Sequence, residues 1–244
     1  MDFIIVIPAR YKSSRLPGKP LIDIAGKSML QRTYEQCIKA VSPELVYVAT
    51  EDVRIVNHCK ELNINVILTS DTCNTGTDRV AEVAEKIHAD YYINVQGDEP
   101  VFNPDDLSKI IDYIRHTPAS VVNGYCAIDS EEDFNSRSIP KVVFRPDGRL
   151  LYMSRSGIPG NKSGMFVQSW RQVCVYAFAK PALEKFYHRN NKTCLEEIED
   201  IEILRFLELG MDVNMLEMSS ESIAVDTPAD VTKVEKRLGY VREI

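Results

Sequence analysis

Phe3-Ile4-Ile5-Val6-Ile7-Pro8-Ala9-Arg10-Tyr11-Lys12-Ser13-Ser14-Arg15-Leu16-Pro17-Gly18-Lys19-Pro20 opens the chain and decides how the rest is read. The first five residues are apolar, mostly β-branched and stopped by proline. That is the pattern of a strand buried on both faces of a parallel sheet. Four cations follow within ten residues, Arg10, Lys12, Arg15 and Lys19, with Ser13, Ser14 and Gly18 among them. In open α/β sheets ligands sit beyond the carboxyl ends of the strands. A basic surface loop needs no ligand. This one, however, reverses the sign of a chain whose formal net charge is −7, which favours an anion such as phosphate.

Working outward, strands and helices alternate. Ser28 precedes a helical pattern over 29–40, and 45–49 reads as a second strand. Asp52 starts a helix, 66–68 is a strand, and Thr77 is placed to cap a helix running to His88. The fourth strand, 91–95, ends in Gln96-Gly97-Asp98-Glu99-Pro100, and Asn103 caps a helix to about His116. This alternation is the signature of right-handed βαβ units. The expected fold is α/β and Rossmann-like, a mostly parallel central sheet with helices on both faces, in a single domain over 1–244.

From about 125 to 170 the rhythm changes to a β-rich insertion. It holds the end of a strand at 120–128, a hairpin of 141–144 and 150–153 across Pro146-Asp147-Gly148, and a Gly/Ser/Asn-rich loop over 155–168. A strand over 172–178 follows. Phe166 and Trp170 are candidates either for dimer anchors or for local caps on the core. A short helix over 181–187 and one longer helix over 195–209 come next. The acidic start of the latter (Glu196, Glu197, Glu199, Asp200, Glu202) suits a helix N-terminus and reads mostly as a solvated face. A strand at 213–216, the apolar run 223–225, and a final helix over 229–238 behind Pro228 complete the chain.

Length and composition, 244 residues with 44% hydrophobic and 27% charged, describe a soluble globular chain. No apolar stretch approaches membrane-spanning length. Asp2 and Arg10 are wrong for a secretory leader, and six scattered cysteines show no C-x-x-C pair, so a reduced cytoplasmic protein is expected. The four histidines make no metal-ligand pattern. The acidic balance argues against nucleic acid as a partner. Neither G-x-x-x-x-G-K-[ST] nor G-x-G-x-x-G occurs, which counts against a P-loop kinase and a dinucleotide dehydrogenase.

Asp98 and Asp226 each follow what reads as a buried apolar strand, 91–95 and 223–225, and precede a turn with proline. Aspartates commonly cap such turns. Two carboxylates facing a cationic loop are also what Mg2+ with a triphosphate needs, because magnesium takes one or two carboxylates plus phosphate oxygens and water.

The segment 7–21 closely resembles the opening motif of the CMP-Kdo synthetases (3-deoxy-manno-octulosonate cytidylyltransferases). Val95-Gln96-Gly97-Asp98-Glu99-Pro100 is similar to their second motif, and Lys141-Val142-Val143 with 152–159 to a third. Val225-Asp226-Thr227-Pro228-Ala229-Asp230 resembles the last, and Thr75-Gly76-Thr77-Asp78-Arg79 their segment near the base. The matches run in order along nearly the whole chain. The resemblance implies a nucleotidyltransferase fold and a homodimer formed through the 125–170 block. It also implies a reaction in which the anomeric hydroxyl of a 2-keto-3-deoxy sugar acid attacks the α-phosphate of CTP, for surface lipopolysaccharide synthesis.

The implied roles follow residue by residue. Arg10, Arg15 and Lys19 clamp the triphosphate, with Pro8, Ala9 and Gly97 against the nucleotide. Asp98 is catalytic and with Asp226 holds Mg2+. Thr75, Thr77 and Arg79 lie near the cytosine. Gln96, Arg155, Gln172, Tyr176, Glu202 and Ile203 lie on the sugar side. Two of these depart from the family pattern: Gln172 stands where a histidine is usual, and Ile203 where a glutamine is usual. Lost polar partners alter which hydroxyls can be satisfied. A modified octulosonate, another acidic sugar or a phosphonate therefore stays open as acceptor, as does a catalytically silent nucleotide-binding protein.

Overall fold

The computed structural model describes residues 1–13, 16–188 and 191–240. Among them the strands are β1 (Phe3–Pro8), β2 (Asp23–Ile24), β3 (Lys27–Ser28), β4 (Val46–Thr50), β5 (Asn65–Leu68), β6 (Tyr91–Val95), β7 (Val121–Ala127), β8 (Lys141–Phe144), β9 (Leu150–Ser154), β10 (Trp170–Ala179) and β11 (Val213–Glu217). The α-helices are α1 (Met29–Ala40), α2 (Val53–Glu61), α3 (Gly76–Lys86), α4 (Pro104–His116), α5 (Glu131–Asn135), α6 (Lys180–Tyr187), α7 (Cys194–Glu199), α8 (Ile203–Glu208) and α9 (Pro228–Arg237).

The main sheet runs β11-β7-β10-β6-β1-β4-β5. The opening strand β1 lies inside it, parallel to β4 on one side and β6 on the other. Its side chains alternate between two cores. Ile4 and Val6 join Val80 of α3, Phe186 of α6 and Phe206 of α8. Ile5 and Ile7 join Leu30 of α1, Ile55 of α2 and Ile110 of α4. Each such fully buried side chain stabilises the fold by roughly 1.5–3 kcal/mol relative to an exposed one. The apolar run therefore has no polar face, because helices cover both sides of the sheet.

Several expectations change. The strand leaving the 125–170 block returns into the middle of the main sheet: β10 runs antiparallel between β6 and β7. What projects from the sheet is the β8–β9 hairpin, joined to it where Val142 and Lys141 pair with Trp170 and Arg171. Phe166 and Trp170 pack within the chain, their ring centroids 5.3 Å from Phe134 and 5.1 Å from Phe144. Helix α5, not expected from the sequence, is capped by Ser130 and buries Phe134.

Thr75, not Thr77, caps α3. Its hydroxyl accepts from Asp78 N, and the Asp78 carboxylate accepts from Thr75 N at 2.9 Å. The single helix expected over 195–209 is two helices, broken at Asp200 in the left-handed region, φ 51°. Arg155 stabilises the break by donating to the carbonyls of Glu199 (2.6 Å) and Asp200 (2.9 Å), which α7 leaves without helical partners. Its acidic face is not mainly solvated. Glu196 is fully buried against Arg205, and Glu199 accepts from Ser154 Oγ and Arg155 N. The run 223–225 is not a strand, but Val225 N donates to Asp98 O at 2.9 Å. That bond seats the segment before α9 beside the loop after β6.

Candidate active site

A cavity of about 430 Å³ opens beyond the carboxyl ends of β1 and β6. Pro8, Ala9, Arg10 and Lys19 line it from the opening segment, Gln96, Gly97 and Asp98 from the loop after β6, and Asp226 from the chain before α9. Thr75, Gly76 and Arg79 enter from α3, and Arg155, Lys192, Asp200 and Glu202 close the far side. Arg15 lies outside the described residues.

Local chemistry plants Lys19. Gly18 takes φ 68°, a left-handed turn that suits glycine, and packs against the Tyr11 ring. Tyr11 is held from above by the Arg54 guanidinium, 3.3 Å from its centroid. Lys19 N then donates to Leu16 O at 3.1 Å. With its backbone fixed, the Lys19 ammonium reaches both acidic candidates. Nζ donates to Asp98 Oδ2 at 2.7 Å and to Asp226 Oδ1 at 2.8 Å. Burial alone lowers the basicity of this amine; the two carboxylates outweigh it and leave its pKa raised. Lys19 thus bridges the two aspartates, where the sequence had suggested a cationic wall across from them.

Gly97 lines the cavity and also serves the backbone packing behind it. A Cβ here would lie 2.8 Å from the Pro8 carbonyl oxygen, so the close approach it permits is that of β1's own backbone. The Gly97 carbonyl accepts from Thr33 Oγ1 of α1. Two elements thereby hold the loop that carries Asp98.

The first turn of α3 is gripped from α8. The Glu202 carboxylate accepts from Gly76 N (3.2 Å), Thr77 N (2.9 Å) and Thr77 Oγ1. Burial raises its pKa, and the bonds from Thr77 and Gly76 oppose the shift without cancelling it. The Thr77 hydroxyl, expected near the base, is thus committed to Glu202 and buried. Arg79 pairs with Glu51 at 2.9 Å and also donates to Thr69 Oγ1 and Ser70 O. It therefore braces the cavity wall as well as lining it.

Three residues expected on the sugar side stand outside the lining of this cavity. Gln172 Nε2 donates to Asn123 Oδ1 in a buried amide pair. Tyr176 is buried beside Phe178, and Ile203 is core. Two residues that sequence reasoning missed do line it, Lys192 and Asp200, joined at 2.8 Å. The capping box of Thr193 and Glu196 marks a helix start just after Lys192 and could have pointed to it. Nothing local announces the break at Asp200.

Among the described residues no group of three or more His, Cys, Asp or Glu gathers as a metal centre. Asp98 and Asp226 nevertheless fit a magnesium ion that takes its remaining ligands from phosphate and water. Both are hard oxygen donors, and the Lys19 ammonium already stands between them as a cation. No helix among the described residues is long and apolar enough to cross a membrane.

The model of the cytidylyltransferase family matches residues 4–213. A 3-deoxy-manno-octulosonate cytidylyltransferase of Protochlamydia amoebophila is 40% identical over 97% of this chain and 94% of that protein. The chain belongs to this family. The Escherichia coli member is 38% identical over 95% of this chain and 94% of its own. A solved CMP:2-keto-3-deoxy-manno-octonic acid synthetase, complexed with CTP, superposes with a TM-score of 0.90 at 36% identity over 98% of this chain and 99% of its own. The nucleotidyltransferase fold and the family expected from the motifs are thereby established.

Proposed function

We propose that the protein transfers the CMP moiety of CTP to the anomeric hydroxyl of 3-deoxy-manno-octulosonate. A bond forms between that hydroxyl oxygen and the α-phosphorus, the α–β phosphoanhydride bond breaks, and diphosphate leaves. The observation that carries this reading is the Lys19–Asp98–Asp226 cluster at the carboxyl ends of β1 and β6, in a chain so similar over its length to a synthetase solved with CTP.

The chemical difficulty is crowded negative charge, since a triphosphate and a sugar carboxylate must meet. Positioning and preorganised charge lower such a barrier. Arg10 and Lys19, with Arg15, are assigned to the phosphate oxygens. Thr75 and Gly76 present the first turn of α3 to the nucleoside. Gln96, Arg155 and Lys192 face the acceptor, where the two cations suit a carboxylate. Asp98 and Asp226 would hold a magnesium ion, which would supply charge neutralisation and polarisation at the phosphoryl oxygens.

A panel of nucleoside triphosphates and sugar acids, with diphosphate release as readout, tests the reading. Turnover with CTP and 3-deoxy-manno-octulosonate is expected. Turnover of a different acidic sugar or a phosphonate alone would replace the acceptor, and CTP binding with no turnover on any acid would make the protein a silent binder. Gln172 and Ile203 lie outside the cavity lining, which favours the family's own acceptor. The proposed product is an activated sugar of the kind used in surface polysaccharide synthesis. A homodimer through the 125–170 block, and a cytoplasmic site of action, complete the proposal. Met165 and Val167 are exposed on that block, and sedimentation gives the mass directly.

A further inference from the structure

The two carboxylates assigned to the cation are bridged by a lysine. Lys19 Nζ lies 2.7 Å from Asp98 Oδ2 and 2.8 Å from Asp226 Oδ1, so one ammonium engages both carboxylates, and all three residues line the cavity. An ammonium is a compact point charge on a flexible four-carbon stem. It satisfies the pair electrostatically and occupies the space a small divalent ion needs, because magnesium requires oxygen ligands at roughly 2.0–2.1 Å. The backbone of Lys19 is fixed by its turn, while the ammonium sits at the end of a flexible four-carbon stem.

We propose that Lys19 is a gate on the cation site. In the nucleotide-free protein its ammonium closes the Asp98–Asp226 pair. When a nucleoside triphosphate enters, the ammonium moves to the phosphate oxygens and opens the pair to the divalent ion that arrives with them. The inference rests on the proposed role of Asp98 and Asp226, and it adds an order of binding to it.

The physical reason is competition for one ammonium. A triphosphate in this cavity offers Lys19 charge-assisted hydrogen bonds at least as strong as those it gives up. The same event brings the phosphate oxygens that complete the cation's coordination. Without nucleotide, a divalent ion must displace Lys19 into a cavity whose other two carboxylates are already engaged, Asp200 by Lys192 and Glu202 by Gly76 and Thr77. Its apparent affinity is reduced by the fraction of molecules in which the pair is closed. By linkage, nucleotide and cation must then favour each other's binding. A pair of aspartates with no lysine between them would leave only the shared phosphate coordination to couple the two, and would bind the cation alone more tightly.

Mn2+ binding, followed by electron paramagnetic resonance of the free ion, tests this without any turnover. Wild-type protein and Lys19→Met are titrated with Mn2+ alone, with melting curves confirming that both are folded; Lys19→Gln repeats the comparison should Lys19→Met fail to fold. The lysine-free variant is expected to bind Mn2+ alone at least tenfold more tightly than wild type. Adding Asp98→Asn to it is expected to abolish the gain. In wild type, Mn2+ is expected to become protein-bound only when CTP is present, beyond what CTP itself sequesters. Equal Mn2+ affinity of wild type and Lys19→Met, or a gain that survives Asp98→Asn, overturns the gate. If wild type holds Mn2+ with CTP while Lys19→Met gains nothing, only the gate fails. If no mixture shows protein-bound Mn2+, the metal role of Asp98 and Asp226 fails with it.

Discussion

Asp98 carries the most chemistry on one side chain. It faces Lys19, sits on a loop pinned by Thr33 and Val225, and belongs to no helix or strand whose collapse its loss would cause. Asp98→Asn keeps the shape and removes the charge. Diphosphate release is expected to fall by at least about 10²–10³-fold with the melting temperature nearly unchanged; unchanged turnover would refute its role. Gly97→Ala tests the neighbouring backbone. The added Cβ would stand 2.8 Å from the Pro8 carbonyl, which is backbone of a central strand and cannot step aside. Weakened CTP binding is expected in calorimetry, with far-ultraviolet dichroism unchanged. Wild-type affinity would show that β1 and the Asp98 loop do not share their position.

At the scale of elements, the site depends on helix α8 holding the start of α3 at two points. Arg205 is almost fully buried. It donates twice to Glu196 at 2.6 Å and once to Asp78 at 2.9 Å, and its guanidinium lies over the Phe186 ring. Asp78 in turn caps Thr75, at the cavity wall. Arg205→Met strands two buried carboxylates and is expected to cost about 3–5 kcal/mol in urea unfolding. Replacing Glu196 by Met as well should return part of that loss. Glu202 is the second point. Burial raises its pKa, so the folded chain binds this proton more readily than the unfolded one. Its contribution to stability is full below the ordinary value of 4.5 and is lost as pH rises through the raised value. Glu202→Gln should flatten the fall in melting temperature above pH 4.5; an unaltered profile would assign that fall to other groups.

The whole molecule answers to its ligand and its partner copy. If the cavity binds CTP only when folded, CTP at 100 times its dissociation constant stabilises the chain by about 2.7 kcal/mol. For a chain of this size that is a rise of roughly 5–10 °C in melting temperature. Guanosine triphosphate should give a smaller rise at the same concentration. Sedimentation should report twice the 27.7 kDa of one chain, and a single-chain mass would remove the dimer from the proposal.

Much of this was legible from local pattern. The apolar run of β1, the Ser28, Asp52 and Asn103 caps and the Pro-Asp-Gly turn each express their chemistry within a few residues. The cationic loop and both aspartates could be named from the sequence because strand ends and turn residues are local features. What could not be read there involves partners far apart in the chain. Helix 195–209 breaks because Arg155, more than forty residues earlier, takes the carbonyls of Glu199 and Asp200. Strand β10 lies antiparallel between β6 and β7, partners distant in sequence that only the folded sheet brings to its two edges. Lys19 meets Asp226 across 207 positions because a backbone bond from Val225 to Asp98 seats the segment before α9 beside the loop after β6, where the Lys19 ammonium reaches both aspartates. Hydrogen-bond geometry and burial are properties of the assembled layers, so the structure alone decided that the lysine stands between the aspartates.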